Sequence, residues 1–449
     1  MAERAWRNWA GNQTAAPRQV LTPGSAAEVA DAVRHAAGQG VAVRMAGSGH
    51  SFTPAAVTDG VLLLPGGLTR VRSVDAEAGL ATAEAGCPLR VLNETLLAHG
   101  LALANLGDIQ EQTVAGAIQT GTHGTGRDTG SIAAQVAGLE LVLADGTVVT
   151  CSAAERPRGG PPGARAPEGT ERPELLSAAA VGLGALGIVT AVTFRVVPAF
   201  LLEAREQPMR WDEVTRRLDE LTAENEHFEF YWFPHTENCL TKRNNTSPGP
   251  ARPLNPARKW LDDEFLSNTV FGLANRLGHR VPGAIRPANR IAAWALGART
   301  YVDAAHRVYT SPRRVRFKEQ EYAIGREHLP AALAGLRELF SKRDWRISFP
   351  IEVRVAPADD VWLSTAYGRS SGYIACHVFH ASPHEPYFRD VEALLTELGG
   401  RPHWGKMHTR DAGYLSTVYP KFADFAALRE ELDPGRRFAN AYTRQVLGE

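Results

Sequence analysis

The sequence predicts a two-domain α+β protein with a small-molecule partner, and three observations carry that expectation. Helix and strand patterns alternate through the first part of the chain around two glycine-rich loops, "RMAGSGHSF" and "GDIQEQTVAGAIQTGTHGTG". From about 200 to 395, charged helices separate aromatic-rich strands such as "HFEFYWFP". At 449 residues the chain is too long for one ordinary core.

The elements follow in order. "RQVLTP" reads as a short strand, and "SAAEVADAVRHAAGQG" as a helix, with Ser25 and Glu28 spaced as a capping box and a glycine at its end. "VAVRMAG" returns as a strand, "RVLNETLLAHG" is a helix, and "AAQVAGLELVLADGTVVTCS" is a hairpin turning at Asp145-Gly146. Residues 153–173 are dominated by Pro, Gly, Arg and Glu, a composition that buries no core, and read as a surface loop. In the next segment Gly182, Gly184 and Gly187 match G-x-G-x-x-G, yet they end a helix and open a strand, the reverse of the order a nicotinamide dinucleotide fold needs. The tail carries a helix with Phe422, Phe425, Leu428 and Leu432 on one face.

Composition narrows the partners. Lys+Arg and Asp+Glu both number 49, so no overall charge excess draws the chain to nucleic acid or to an anionic membrane. No stretch approaches the roughly 20 apolar residues of a membrane helix, and the N-terminus lacks an apolar signal core, so a cytoplasmic location is expected. Cys87, Cys151, Cys239 and Cys376 are scattered without metal-ligand spacing, which points to reduced thiols and no metal.

Four places carry candidate chemistry. In "RMAGSGHSF", small residues let the backbone approach a ligand and would hold His50 against it; a tight turn with a surface histidine would look the same. In the second glycine-rich loop, small and hydroxyl residues suit N–H groups facing a pyrophosphate, although a plain series of turns has this composition too. In "FPIEVRVAP", Glu352 and Arg354 share one strand face and Ile351, Val353 and Val355 the other, a pattern that a solvated outer face also produces. In "RPHWGKMH", Lys406 is one of only six lysines against 43 arginines, which favours a need for lysine there over an ordinary surface position.

Taken in order, "AGSGHSF", "GDIQEQTVAGAIQTGTHGTG", "GLGALGIVTAVTF", "IEVR" and "HWGK" resemble the aldonolactone oxidases and dehydrogenases, of gulonolactone and arabinonolactone oxidase type, in the vanillyl-alcohol-oxidase flavoprotein superfamily. The likeness spans nearly the whole chain. It implies an FAD-binding domain over 1–199, a cap or substrate domain with an antiparallel sheet over 200–395, and a segment 396–449 that returns to the FAD domain and active site. It further implies FAD, bonded through a ring nitrogen of His50 to the flavin 8α-methyl carbon. Ala46, Gly47, Ser48, Gly49, His50, Ser51, Gly107, Asp108, Thr113, Gly116, Thr120, Thr122, His123 and Ile188 would line the cofactor, with His123 a structural or pyrophosphate-side group. Glu352, Arg354 and Lys406, with His377 of "YIACHVF" as a further pocket residue, would act on the substrate. Cys87 lacks the setting of a second flavin tether and reads as packing. The implied reaction is oxidation of a sugar 1,4-lactone at its C2 carbinol, giving an ascorbate-type product, with oxygen or another acceptor taking the electrons. An alditol oxidase is the nearest rival, and a non-catalytic FAD-binding partner protein a rival of another class.

Overall fold

A computed structural model describes residues 6–152 and 172–449. The surface loop expected over 153–173 falls, except for its last two residues, outside the described residues, and Pro173 itself opens a helix, Pro173–Ala180, where the missing N–H costs nothing.

Besides two two-stranded ladders, the first half holds two small sheets. Strands Gln19–Leu21 and Val43–Met45 flank Val61–Leu63 in a parallel trio. Helix Ala26–Gly38 packs its apolar side, Val29, Val33 and Ala36, against this unit. Ser25 caps the helix by accepting from the Glu28 N–H, but the Glu28 carboxylate accepts from Gly24 rather than from Ser25, so the reciprocal half of the expected capping box is shifted by one residue. An antiparallel sheet runs in the order Val148–Ser152, Val136–Val142, Ile188–Arg195, Leu80–Glu84, Val71–Asp75. Its first pair is the expected hairpin, with Gly146 at φ +82° and the Asp145 carboxylate accepting from the Thr147 N–H at 2.8 Å.

The second half is built on one eight-stranded sheet, in the order Arg299–Ala304, Leu201–Arg210, Asn238–Thr246, His227–Trp232, Ile351–Ala356, Ser371–Phe379, Phe317–Gly325, Arg401–Pro402. Because side chains alternate across a strand, its two faces differ sharply. Phe228, Phe230, Trp232, Val353, Ile374 and Val378 point to one side, under helices Leu329–Lys342 and Glu385–Glu397. Glu229, Tyr231, Glu319, Glu321, Glu352, Arg354 and His377 point to the other, and all are buried. The polar alternation that resembled a solvated strand face is therefore an internal one.

After the short strand Arg401–Pro402 the tail returns to the first half. Leu415, Tyr419, Phe425, Tyr442 and Val446 join the core that contains Leu92, Val114 and Phe194, with Leu428 and Leu432 at its margin. Asn440 caps the last helix, and its side-chain amide donates to the carbonyls of Pro54, Ala55 and Val57, which ties the tail to the segment following "GHSF". Phe425, 1% exposed, should be the main anchor of this return. Phe425→Ala is expected to destabilise the protein by about 3 to 5 kcal/mol, measured as a lowered urea midpoint of unfolding.

Candidate active site

The first half holds a cleft of about 920 Å³, its open mouth included, lined among others by Gly47, Ser48, Gly49, His50, Ser51, Thr113, Gly116, Thr120 and Ile188. Two loops meet there closely. A Cβ at Gly47 would stand 2.5 Å from Thr113 Oγ1, and one at Gly116 2.8 Å from the same atom, so only bare backbone permits the approach. Hydroxyls of Ser48, Ser51, Thr113 and Thr120 and apolar surface from Met45, Ala85, Ile188 and Val189 share the wall. Gln112 also lines it, and its buried Oε1 has no partner among the described residues while its amide donates to Thr122. This mixture of exposed backbone, hydroxyls, an unsatisfied amide oxygen and an apolar wall fits a long ligand with a phosphate portion and a flat ring, as FAD has.

Arg44, buried behind the cleft, holds its rim together. Its guanidinium donates to the carbonyls of Leu183 (2.6 Å), Gly184 (3.1 Å) and Phe438 (2.6 Å), and to Ala55. The glycines of "GLGALG" thus form the turn between a helix and a strand, with Leu183 and Gly184 at positive φ, and do not open a helix onto a dinucleotide.

His50 stands half-buried at the mouth, stacked on Trp9 with ring centroids 5.4 Å apart. Burial, assisted by Lys406, lowers its pKa below the usual histidine value, so the ring is neutral and carries a free lone pair at neutral pH. From Trp9 an aromatic chain continues through Phe317 (5.3 Å) to His377 (5.2 Å) and Phe349 (5.7 Å). Cys87 lies in the core, and burial raises its thiol to about 11, which disfavours a thiolate.

Outside the cleft lining, the polar face of the large sheet carries two charge clusters. In the first, Arg354 pairs with Glu352, with Asp108 and, at 2.9 Å, with Glu229. Register explains the gathering: Glu352 sits opposite Tyr231, and Glu229 opposite Lys242. Tyr231 donates to Glu352 at 2.8 Å, Lys242 reaches Glu229 at 3.1 Å and Arg313 reaches Asp108 at 2.9 Å. Burial works against ionisation of all three acids, yet Arg354 and Arg313 hold Asp108 well below its ordinary value, and Lys242 and Arg354 hold Glu229 below its own. Glu352 is different: burial, reinforced by Asp108 and Glu229 against the pull of Arg354, pushes it up to about 7. The three carboxylates lie within 4.8 Å of one another, but the Arg354 guanidinium already occupies the place a metal ion would take.

In the second cluster Lys406 pairs with Glu319, whose other oxygen lies 3.4 Å from His377, its cross-strand neighbour. Burial opposes the charge on Lys406, but Glu319 and Glu321 outweigh it and raise its pKa, so the ammonium stays protonated. "HWGK" reaches this position by continuing beside strand Phe317–Gly325, with the His403 N–H donating to the Glu321 carbonyl and the Met407 N–H to that of Glu319. A bond of 2.7 Å from the Phe52 N–H to the Gly405 carbonyl then joins "GHSF" to "HWGK".

The remaining candidates sit around the cleft and these clusters. Ala46 is buried beneath the loop, and Gly107 backs onto Thr122 and the His123 carbonyl. Asp108 faces the sheet's charge cluster rather than the cleft lining. His123 lies 3.3 Å from Glu321 and stacks on Tyr373 at 3.8 Å, on the sheet side and outside the cleft lining. Sequence reasoning passed over Glu229, Tyr231, Lys242, Arg313, Glu319 and Glu321. The alternation that singled out "IEVR" recurs in "HFEFYW" and "FKEQEY", and Lys242 is another of the few lysines.

The paired sheets, the tail that returns and a cleft whose His50 loop is bonded to the "HWGK" segment are the frame of an FAD-dependent oxidoreductase. A model of the FAD-binding domain matches residues 17–152. The D-arabinono-1,4-lactone oxidase model matches residues 192–446, and the chain belongs to that family. It is 41% identical over 99% of both chains to a protein of Mycobacterium tuberculosis named L-gulono-1,4-lactone dehydrogenase. It is also 33% identical to bovine L-gulonolactone oxidase and 32% identical to a Streptomyces alditol oxidase, over 98% of each chain in both cases. Among solved structures, cholesterol oxidase from Brevibacterium sterolicum superposes with a TM-score of 0.79 at 18% identity, covering 99% of this chain and 96% of that one, a likeness of fold. Among the described residues no helix is long and apolar enough to cross a membrane.

Proposed function

We propose that the protein oxidises the C2 carbinol of a sugar 1,4-lactone to an ascorbate-type product, with FAD bonded to His50. The observation that carries this reading is the buried Glu352–Arg354 pair, whose carboxyl is held at about 7 while its neighbours stay ionised. Bound in the cleft, FAD supplies the hydride acceptor.

The protein's own groups do the rest. Glu352 takes the proton of the C2 hydroxyl, a task suited to a carboxylate poised near the working pH. Arg354, fixed by three carboxylates, holds the oxygen as charge develops on it. Lys406 keeps a positive charge at the seam of "GHSF" and "HWGK", where it favours a negative ring. His377, oriented by Glu319, contacts the substrate's remaining hydroxyls. Buried charges gathered on one sheet face have no use in a protein that only binds FAD. The similarity to gulonolactone enzymes at 41% and 33% identity supports the lactone over the alditol.

Anaerobic mixing with a panel of aldono-1,4-lactones and alditols is expected to bleach the flavin band with lactones; bleaching by alditols alone would replace the lactone reading. Acid precipitation should leave a yellow, fluorescent pellet, and the His50→Ala pellet should be colourless. A colourless pellet from the unsubstituted protein would mean non-covalent FAD. Because the carboxylate of Glu352 predominates only above about 7, stopped-flow flavin reduction should speed up as pH rises through that value and level off beyond it. Glu352→Gln should remove this rise and slow reduction by about 10² or more. A flat profile in the unsubstituted protein would take the proton from some other base.

A further inference from the structure

Of the eleven exposed large apolar side chains among the described residues, ten lie between Trp260 and Trp294. This excursion leaves the large sheet after Asn238–Thr246 and rejoins it at Arg299–Ala304, and it consists of the π-helical stretch Trp260–Val270 and the helices Phe271–Arg280 and Ile285–Trp294. Its first two helices are turned the opposite way from those of an ordinary domain. The inward stripe of the first two is Asn268, Gly272, Asn275 and Gly278, while Leu266, Val270, Leu273 and Leu277 face out. In the third, Asn289 is buried together with Ile285 and Ala293, while Ile291 and Trp294 are exposed.

The orientation is fastened from within. Asn268 accepts from the Arg314 N–H at 2.8 Å, Asn275 accepts from the Ser348 hydroxyl at 2.6 Å, and Asn289 donates to the carbonyls of Pro234 and Ile347 at 3.0 and 2.9 Å. Rolling any of these helices to hide its apolar side would strand buried amides. The outward apolar surface is thus a consequence of the packing.

Charge identifies what covers it. The segment's acids point to arginines: Asp262 pairs with Arg258, Asp263 with Arg299 and Glu264 with Arg314. Lys259, Arg276, Arg280 and Arg290 are exposed and form no ion pair among the described residues. A zero net charge over the whole chain conceals this local excess. An apolar face interleaved with unpaired cations, with indoles 59% and 84% exposed at its two ends, Trp260 and Trp294, matches the boundary between anionic headgroups and acyl chains. A second copy of the same face would bring like charges together.

We propose that residues 256–296 form a peripheral docking surface for an anionic lipid bilayer, in which the outward leucines and tryptophans enter the interface and the free cations meet the headgroups. The surface adjoins the site. Phe271 packs edge-on against Phe349 at 4.8 Å, and Phe349 belongs to the aromatic chain that runs to His50. The proposal does not depend on the lactone reading.

The test is flotation of the full-length flavoprotein with vesicles of phosphatidylcholine alone and of phosphatidylcholine with about one third phosphatidylglycerol. Binding to the anionic vesicles is expected, with a blue shift of tryptophan emission that Trp294→Ser diminishes. The triple variant Arg276→Glu, Arg280→Glu, Arg290→Glu should partition roughly tenfold or more weakly, and Leu273→Ser with Leu277→Ser should abolish flotation. Both variants should keep their flavin spectrum and their rate of reduction by substrate, which separates lost docking from lost folding. Failure to float, or equal binding to both vesicle types, would overturn the proposal. So would a dimer in solution that Leu273→Ser with Leu277→Ser converts to monomer, since the face would then belong to a second copy.

Discussion

Arg354 is a guanidinium buried away from water, and its need for carboxylates sets much of the architecture around it. One partner, Glu352, lies two residues away on its own strand, and a second, Glu229, comes from the neighbouring strand. The third, Asp108, comes from the glycine-rich loop of the first half, so the ion pair also clasps the large sheet to the cofactor half. Removing one member of such a group leaves an uncompensated buried charge, at a cost of about 3 to 5 kcal/mol. The same crowding has a chemical result. Three acids around one guanidinium are not all equally easy to ionise, and the carboxyl that keeps its proton longest is Glu352.

The second cluster follows the same logic with a lysine at its centre. Glu319 offers one oxygen to Lys406 and the other to His377, while its backbone carbonyl accepts from Met407. Side-chain and main-chain bonds therefore place "HWGK" together, and the short link from Phe52 to Gly405 carries that placement to the loop of His50. Arg44 plays the corresponding part on the cofactor side, where carbonyls from three distant segments converge on one guanidinium. Two buried arginines and one part-buried lysine are thus the fixtures to which loops without regular structure are attached.

Much of this was legible beforehand. The helices and hairpin of the first half carry their caps and turn residues in the local sequence, and Asp145-Gly146 turns as its composition requires. The helix of the tail was visible through Phe422, Phe425, Leu428 and Leu432, which occupy one of its sides and meet the core in the structure, while its return to the first half was only implied by the family resemblance. The cleft loop with His50 and the strand pair Glu352 and Arg354 stood out by their residue types. Glu319, Glu321 and Glu229 did not, because an acid alternating with apolar residues reads as a half-exposed strand unless the opposite layer is known. The reciprocal capping box at Ser25 failed for a related reason, since a spacing of three admits Gly24 as well as Ser25 as the partner of the Glu28 carboxylate.

The outward apolar helices of 256–296 show where local pattern stops being informative. Their amphipathicity is evident in the sequence, but amphipathicity has no sign: whether the leucines or the asparagines face inward depends on which surface lies beneath. Carbonyls at Pro234 and Ile347 and the hydroxyl of Ser348 take the asparagines, and the apolar side is left outward. By itself the sequence determined the periodicities, the turns, the glycine-rich loops and the scarce lysine at 406, all of which follow from residues within a few positions of one another. The tertiary structure decided which faces are inside and which charges share a proton, because burial and Coulomb interaction depend on distances between residues far apart in the chain, as Asp108 and Arg354 are.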